Sequence, residues 1–473
     1  MEQVRLCNIC GHHNPVDGGS RCANCWLSLR RAATLPVDEA ERLGRQRRFG
    51  HLRLRLLRRG LLLAVLLPLA LWWVVAKNDL GPLIWPPPEA TTDWNATTDM
   101  EAWPQVRRTS QNTGYTADSV PAPQKILWTF ETPKPLVASP AVVGNRVYLA
   151  TDDGRTVALD RFTGAMVWEY KTGFPSSSTP VVAADLVFTV TRPGVVTALE
   201  QSTGALRWEQ DLHKPILASP IIADGTLYIG ASDSNLYALD AATGQLRWSF
   251  DATDWITSSV AYLDGNLVVT SQDHNLRVVG AKSGRQRLIY DTGRGRPSPG
   301  GAAIQGDVAY FGSLGGWVWA VNRQARTYPF ERSLLFWQST LYVWGILADA
   351  PVQKGSIWAT KIGGDIPYPP ALSGDTVYAA TIQGKVVALD AATGEELWST
   401  ELDSEITAPP IVAGDTVLIG TESGRVFGLN ASNGIVEWNF QIGGKITGSP
   451  VVIGKTIFVA SHDGKLYALA GGG

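Results

Sequence analysis

"SPIIADGTLYIGASDSNLYALDAATGQLRW", Ser219 to Trp248, is the unit from which most of this chain is built. Pro220 to Ala223 is a short apolar run, closed by Asp224-Gly225, a two-residue hairpin signal. Leu227, Tyr228 and Ile229 follow, then the polar turn Ser232 to Asn235. Leu236 to Leu239 is a third run, and Thr243-Gly244 turns the chain into a fourth, Gln245 to Phe250. Short runs rich in Val, Ile, Leu, Tyr and Trp at roughly ten-residue spacing read as four antiparallel strands. No apolar 3.6-residue period survives the Gly and Pro punctuation, which argues against helix.

The same pattern recurs with a 40-residue period: Trp128, Trp168, Trp208 and Trp248 keep it, and so do Trp358, Trp398 and Trp438. One such sheet cannot bury both faces alone, whereas radial stacking around an axis covers them and leaves only short edges. The repeat therefore predicts an all-β, eight-bladed β-propeller of four-stranded antiparallel blades over 125–470. Inner strands open near Pro140, Pro180, Pro220, Ser259, Pro299, Pro370, Pro410 and Pro450. The Trp side chains are expected between neighbouring blades. Leu288 stands where blade four should carry its Trp. Blade five holds about 30 extra residues, assigned to 326–355. The chain ends without a last Trp strand, and "KILWTF" (Lys125 to Phe130) is the missing strand, so both termini should share one blade and close the ring.

The runs "DGRTVALDRFTGAMVW", "DSNLYALDAATGQLRW" and "QGKVVALDAATGEELW", with the leading segment "WPQVRRTSQNTGYT" (Trp103 to Thr116), resemble the pyrroloquinoline quinone (PQQ) repeat family. The resemblance covers roughly residues 103–470. It implies one of two things: a dehydrogenase holding the quinone and calcium in the propeller centre, or a cofactor-free scaffold such as the propeller lipoprotein of the bacterial outer-membrane barrel-assembly machinery. The chain departs from both. The alcohol-oxidising members have a vicinal Cys pair beside the quinone and long inserts with calcium-binding carboxylates. Here there is no cysteine after Cys25, and most repeats are bare 40-mers. Asp160, Asp240 and Asp390 sit in the repeated Leu-Asp turn, where capping explains them. No Cys follows the hydrophobic segment, so the lipoprotein's lipid anchor has no attachment point.

"CNICGHHNPVDGGSRCANCW" places Cys7, Cys10, Cys22 and Cys25 as two Cys-x2-Cys knuckles eleven residues apart. Paired knuckles present four thiolates tetrahedrally, which suits structural Zn(2+) in a zinc-ribbon module over 1–30. Two disulfides or a redox pair are the alternatives; a redox motif would normally sit on a larger βαβ frame. His12 and His13 are expected as exposed turn residues, because four thiolates complete the shell. A closed shell leaves no position for catalysis.

Residues 31–59 form a basic segment, with Arg42, Arg45, Arg47, Arg48, Arg53, Arg55, Arg58 and Arg59 among leucines. "GLLLAVLLPLALWWVVA", 60–76, has no charge and is just long enough for a transmembrane helix. The positive-inside rule puts the N-terminus in the cytoplasm and the propeller outside. A cleaved signal peptide is the rival reading, but 59 preceding residues are too many for its basic region. The arginines more simply meet anionic head groups than nucleic acid. Residues 77–124 read as an extracytoplasmic Pro- and Thr-rich linker. The formal net charge of −2 hides this basic end against a mildly acidic remainder.

The sequence thus points to a single-pass protein of a bacterial cell membrane. Its propeller would serve as a protein-interaction or ligand-binding scaffold, with partners met through its loops or the 326–355 insertion and no nucleic acid. No catalytic residues are expected, and PQQ is not. The alternatives are a quinone-dependent dehydrogenase, and a sensor coupling an external ligand to the ribbon.

Overall fold

The computed structural model describes residues 2–46, 64, 66–69, 86–97, 101–293, 301–328, 331–349 and 351–471. Two compact units divide at residues 81 and 82. The first contains a three-stranded antiparallel sheet. Gln3–Leu6 is its centre, flanked by His13–Pro15 and Ala33–Pro36. The ribbon therefore runs past residue 30, because Val4 and Arg5 need a second partner strand, which Leu35 and Thr34 supply. Most of 47–76, including the greater part of the expected membrane span, lies outside the described residues. Among the described residues no helix is long and apolar enough to cross a membrane.

The second unit is an eight-bladed propeller. Seven sheets each contain four consecutive antiparallel strands and an eighth contains three, the innermost strands starting at Ala141, Val181, Ile221, Ala261, Ala303, Ala371, Ile411 and Val451. The copy quoted above resolves into Ile221–Ala223, Thr226–Gly230, Asn235–Asp240 and Leu246–Asp251. Asp224 and Gly225 both have positive φ (47° and 67°), the geometry of the tight hairpin turn that their sequence signals. The last blade pairs Lys465–Gly471 with Pro123–Glu131, so the outer strand comes from the front of the chain and the ring is closed.

The periodic Trp residues hold blade to blade. In six copies the indole Nε1–H donates at 2.9–3.0 Å to a backbone carbonyl 33 residues on, in the Gly-containing turn after the third strand of the next blade. That turn explains its glycine: Gly244 has φ +73°, and a Cβ there would lie 2.7 Å from the Trp208 ring. Within its own blade the indole leans on an aromatic of the second strand. Tyr148–Trp168, Phe188–Trp208 and Tyr228–Trp248 all have centroids 5.9 Å apart. In blade four, Leu288 stands opposite Val278 as Trp248 does opposite Ala238. The Asp160, Asp240 and Asp390 carboxylates accept from the amide and hydroxyl of the Thr three residues on, capping the turn.

The assignment of 77–124 to a linker needs correction. Thr91 donates to Asp240 at 2.7 Å and Trp94 O accepts from Gly225 at 2.8 Å, so this stretch lies on blade three. Residues 102–118 then circle the ring's interior. Trp103 pairs with Val142, and Gln105 Oε1 accepts from the Ile222 amide. Backbone carbonyls accept from Val182, Tyr262, Ile304, Leu372 and Val412, and Asp118 accepts from Gly454. Each blade receives at least one such contact, at its inner strand or the turn that follows it. The physical reason is that each inner strand has an unpaired edge facing the axis, whose buried polar groups need partners.

Candidate functional site

The four cysteines converge. Their sulfur atoms lie within 4.8 Å of one another, with Cys7–Cys25 and Cys10–Cys22 each at 3.6 Å. All four are free thiols. Bonds of about 2.3 Å to a tetrahedral centre give sulfur–sulfur edges of about 3.8 Å, so the cluster has the dimensions of a four-thiolate metal site. Each knuckle is a turn: Gly11 N donates to Cys7 O and Trp26 N to Cys22 O. The residue after the second Cys is left-handed in both, Gly11 at φ 65° and Trp26 at 55°. Glycine takes that conformation freely; Trp26 holds it while exposed.

Sequence reasoning missed Asn14. It is buried, its side chain donates to Cys22 Sγ at 3.6 Å, and its carbonyl accepts from the Ala23 amide at 2.9 Å. Burial raises the Cys22 thiol, but hydrogen bonds from the Cys25 and Asn24 amides and from Asn14 more than offset it, bringing it down to about 6. Such support around a ligand is invisible in the motif, because it comes from a neighbouring strand. His12 and His13 are half-buried, not exposed, since Leu6 pairs with His13 in the sheet; neither belongs to the sulfur cluster.

On the axis of the propeller is a cup of about 160 Å³. Ser139, Thr179, Ser219, Ser259, Thr447 and Ser449 are among its lining, and Arg107 and Asn112 belong to its floor. Arg107 is buried, and its guanidinium donates to the carbonyls of Pro410 (2.8 Å), Pro370 (2.7 Å) and Asn112 (3.0 Å). Burial lowers it to about 9. Asn112 donates onward to Val260 O at 3.0 Å. Gly114 is required beside them, because a Cβ would enter the Arg107 guanidinium. Among the described lining residues there is no carboxylate and no cysteine. Calcium takes oxygen ligands with carboxylates among them, so this lining does not fit a calcium–quinone pair.

The eight four-stranded blades around one axis define a propeller of 40-residue repeats. A family model described as "Outer membrane protein assembly factor BamB" matches residues 119–176, 171–333 and 335–472, and the chain belongs to that PQQ-like repeat family. Among solved structures, BamB from Moraxella catarrhalis is 16% identical with a TM-score of 0.58, covering 73% of this chain and 97% of its own. The quinohemoprotein alcohol dehydrogenase from Comamonas testosteroni is 14% identical at 0.60, covering 79% and 81%. The computationally designed Ika8 protein is 16% identical at 0.59, covering 73% and 100%. At these identities the likeness is one of fold. No curated protein matches the chain.

Proposed function

We propose that this chain is a single-pass protein of a bacterial cell membrane whose external propeller is an interaction or ligand-binding scaffold and not an oxidoreductase. Its cytoplasmic ribbon holds one structural zinc on Cys7, Cys10, Cys22 and Cys25. The single observation that carries the scaffold reading is the axial cup. Where a quinoprotein would need calcium-binding carboxylates, the described lining here is serine, threonine, proline and small apolar residues around a guanidinium already engaged by backbone carbonyls. Membership in a family described by an assembly factor supports it. The membrane reading rests on the uncharged run 60–76 and the arginines before it.

The test of the scaffold is direct. Full-length protein equilibrated with PQQ and calcium should show no bound-quinone absorbance and reduce no dye with alcohols. A stoichiometric spectrum with turnover would make it a dehydrogenase. Protease added outside spheroplasts should degrade the propeller and spare the ribbon; a mature N-terminus at Lys77 would mean a cleaved signal instead.

A further inference from the structure

The helix Glu331–Val343 leaves the propeller between Asn322 and Ser356, where other blades have a short turn. Sixteen residues, Ser333 to Ala348, carry no charge. Leu334, Phe336, Trp337, Val343, Trp344 and Ile346 are each more than half exposed. At 3.6 residues per turn Leu334 and Trp337 fall on one side of the helix and Phe336 and Val343 on another. A helix made for a protein groove shows one apolar stripe. This helix instead exposes apolar side chains on more than one side, with only the uncharged Ser333, Gln338, Ser339 and Thr340 between them, a pattern that suits an apolar boundary better than a single groove. This one is too short to span and falls in the range of interfacial segments, where Trp and Tyr concentrate.

Two further observations point to the same occupant. A groove of about 290 Å³ beside the insertion's base is lined by Arg285, Arg287 and Arg326, with no acidic side chain in its lining. Burial and the nearby Arg326 and Arg323 disfavour the Arg287 charge, so the groove has positive charge in excess. The second observation is the tether. In an antiparallel blade the first and third turns share one face. Residues 91–94 are bonded to those two turns of blade three, at Gly225 and Asp240, and the insertion replaces the third turn of blade five. Only residues 77–85 separate the end of the expected span from the described chain, a reach of about 36 Å at most.

We infer that the blade-five insertion is a second membrane contact: the aromatic surface of 331–347 enters the boundary between head groups and acyl chains, and Arg285, Arg287 and Arg326 take lipid phosphates. This rests on the reading of 60–76 as an anchor, and the turn face of the propeller then lies toward the bilayer.

Carbonate extraction first tests the anchor alone. Full-length protein in vesicles with brominated acyl chains then tests the insertion. Trp337 and Trp344 are two of five tryptophans expected at the interface, with Trp72 and Trp73 near the end of the uncharged run 60–76 and Trp85 nine residues beyond it. Trp337→Ser with Trp344→Ser should therefore lower the bromine-quenched emission by roughly two-fifths, with unchanged melting. Equal quenching in both proteins, with the chain still resistant to carbonate, overturns the inference and leaves the anchor standing. If carbonate releases the chain, added vesicles should still float it through the insertion; failure to float overturns the inference. Arg285→Glu with Arg326→Glu should abolish any extra quenching in phosphatidylglycerol over phosphatidylcholine vesicles, and excess inorganic phosphate should not. Loss of that difference to inorganic phosphate alone would make the groove a free-phosphate site and overturn its lipid role. Cross-linking of position 337 to an envelope protein in place of lipid would also overturn it.

Discussion

Trp248 is 7% exposed, leans on Tyr228, and donates its indole hydrogen to Ala281 O in the next blade. Truncating it removes a large buried aromatic and leaves that carbonyl only the longer bond from the Tyr228 hydroxyl, at 3.4 Å. Trp248→Ala should cost about 3–5 kcal/mol of propeller stability in a denaturant titration. Trp208→Ala, whose ring is only half-buried, should fall at the lower end of that range. A change below about 1 kcal/mol for Trp248 would mean the blades do not depend on this contact. Arg107 acts at the same scale with different physics. Its guanidinium holds three carbonyls from blades six and seven and from the circling segment, and Arg107→Met would leave all three buried and unpaired. The expected loss is about 3 kcal/mol or more, against a near-neutral outcome if the side chain were merely filling space.

Pro123–Glu131 is a single strand, yet it closes the ring by pairing with Lys465–Gly471. Deleting 125–130 exposes the edges of that last blade and removes Trp128 from its seat on Gly164. The deletion should destabilise the propeller more than any single Trp substitution and promote association between copies. Sedimentation would show this; an unchanged monomer with near-native melting would contradict it. The circling segment 102–118 is an element of another kind, since its contacts are distributed over all the blades. Its bonds fall to whichever residues pass each strand, so it has no periodic pattern of its own.

The ribbon and propeller are separate compact units, and their stabilities should be independent. A three-stranded sheet with a core of little more than Cys7, Cys22 and Leu29 depends on its metal. Purified full-length protein should contain about one zinc per chain. Cys22→Ser should lose it and unfold the ribbon, while the propeller's melting transition stays in place. Zinc-replete protein without metal would remove the ribbon assignment, and a shifted propeller transition would remove the independence.

The amino-acid chain alone set the blades, their number, the missing Trp at Leu288 and the shared closing blade. All of these are local: strand, turn and Trp are spelled out within 40 residues and repeated, and closure follows from phase. It also determined which cysteines could share a metal, because Cys-x2-Cys spacing encodes a turn. The remaining features depend on groups far apart in the chain that meet only on folding. Asn14 supports Cys22 from a neighbouring strand. The segment 102–118 reads as Pro- and Thr-rich linker until eight unpaired strand edges meet around one axis. The axial cup exists only where those blades converge, and its lack of carboxylates cannot be read before one knows which side chains line it. The insertion's aromatics were visible from the start, but whether they were buried depended on the packing around the helix, which leaves most of them exposed.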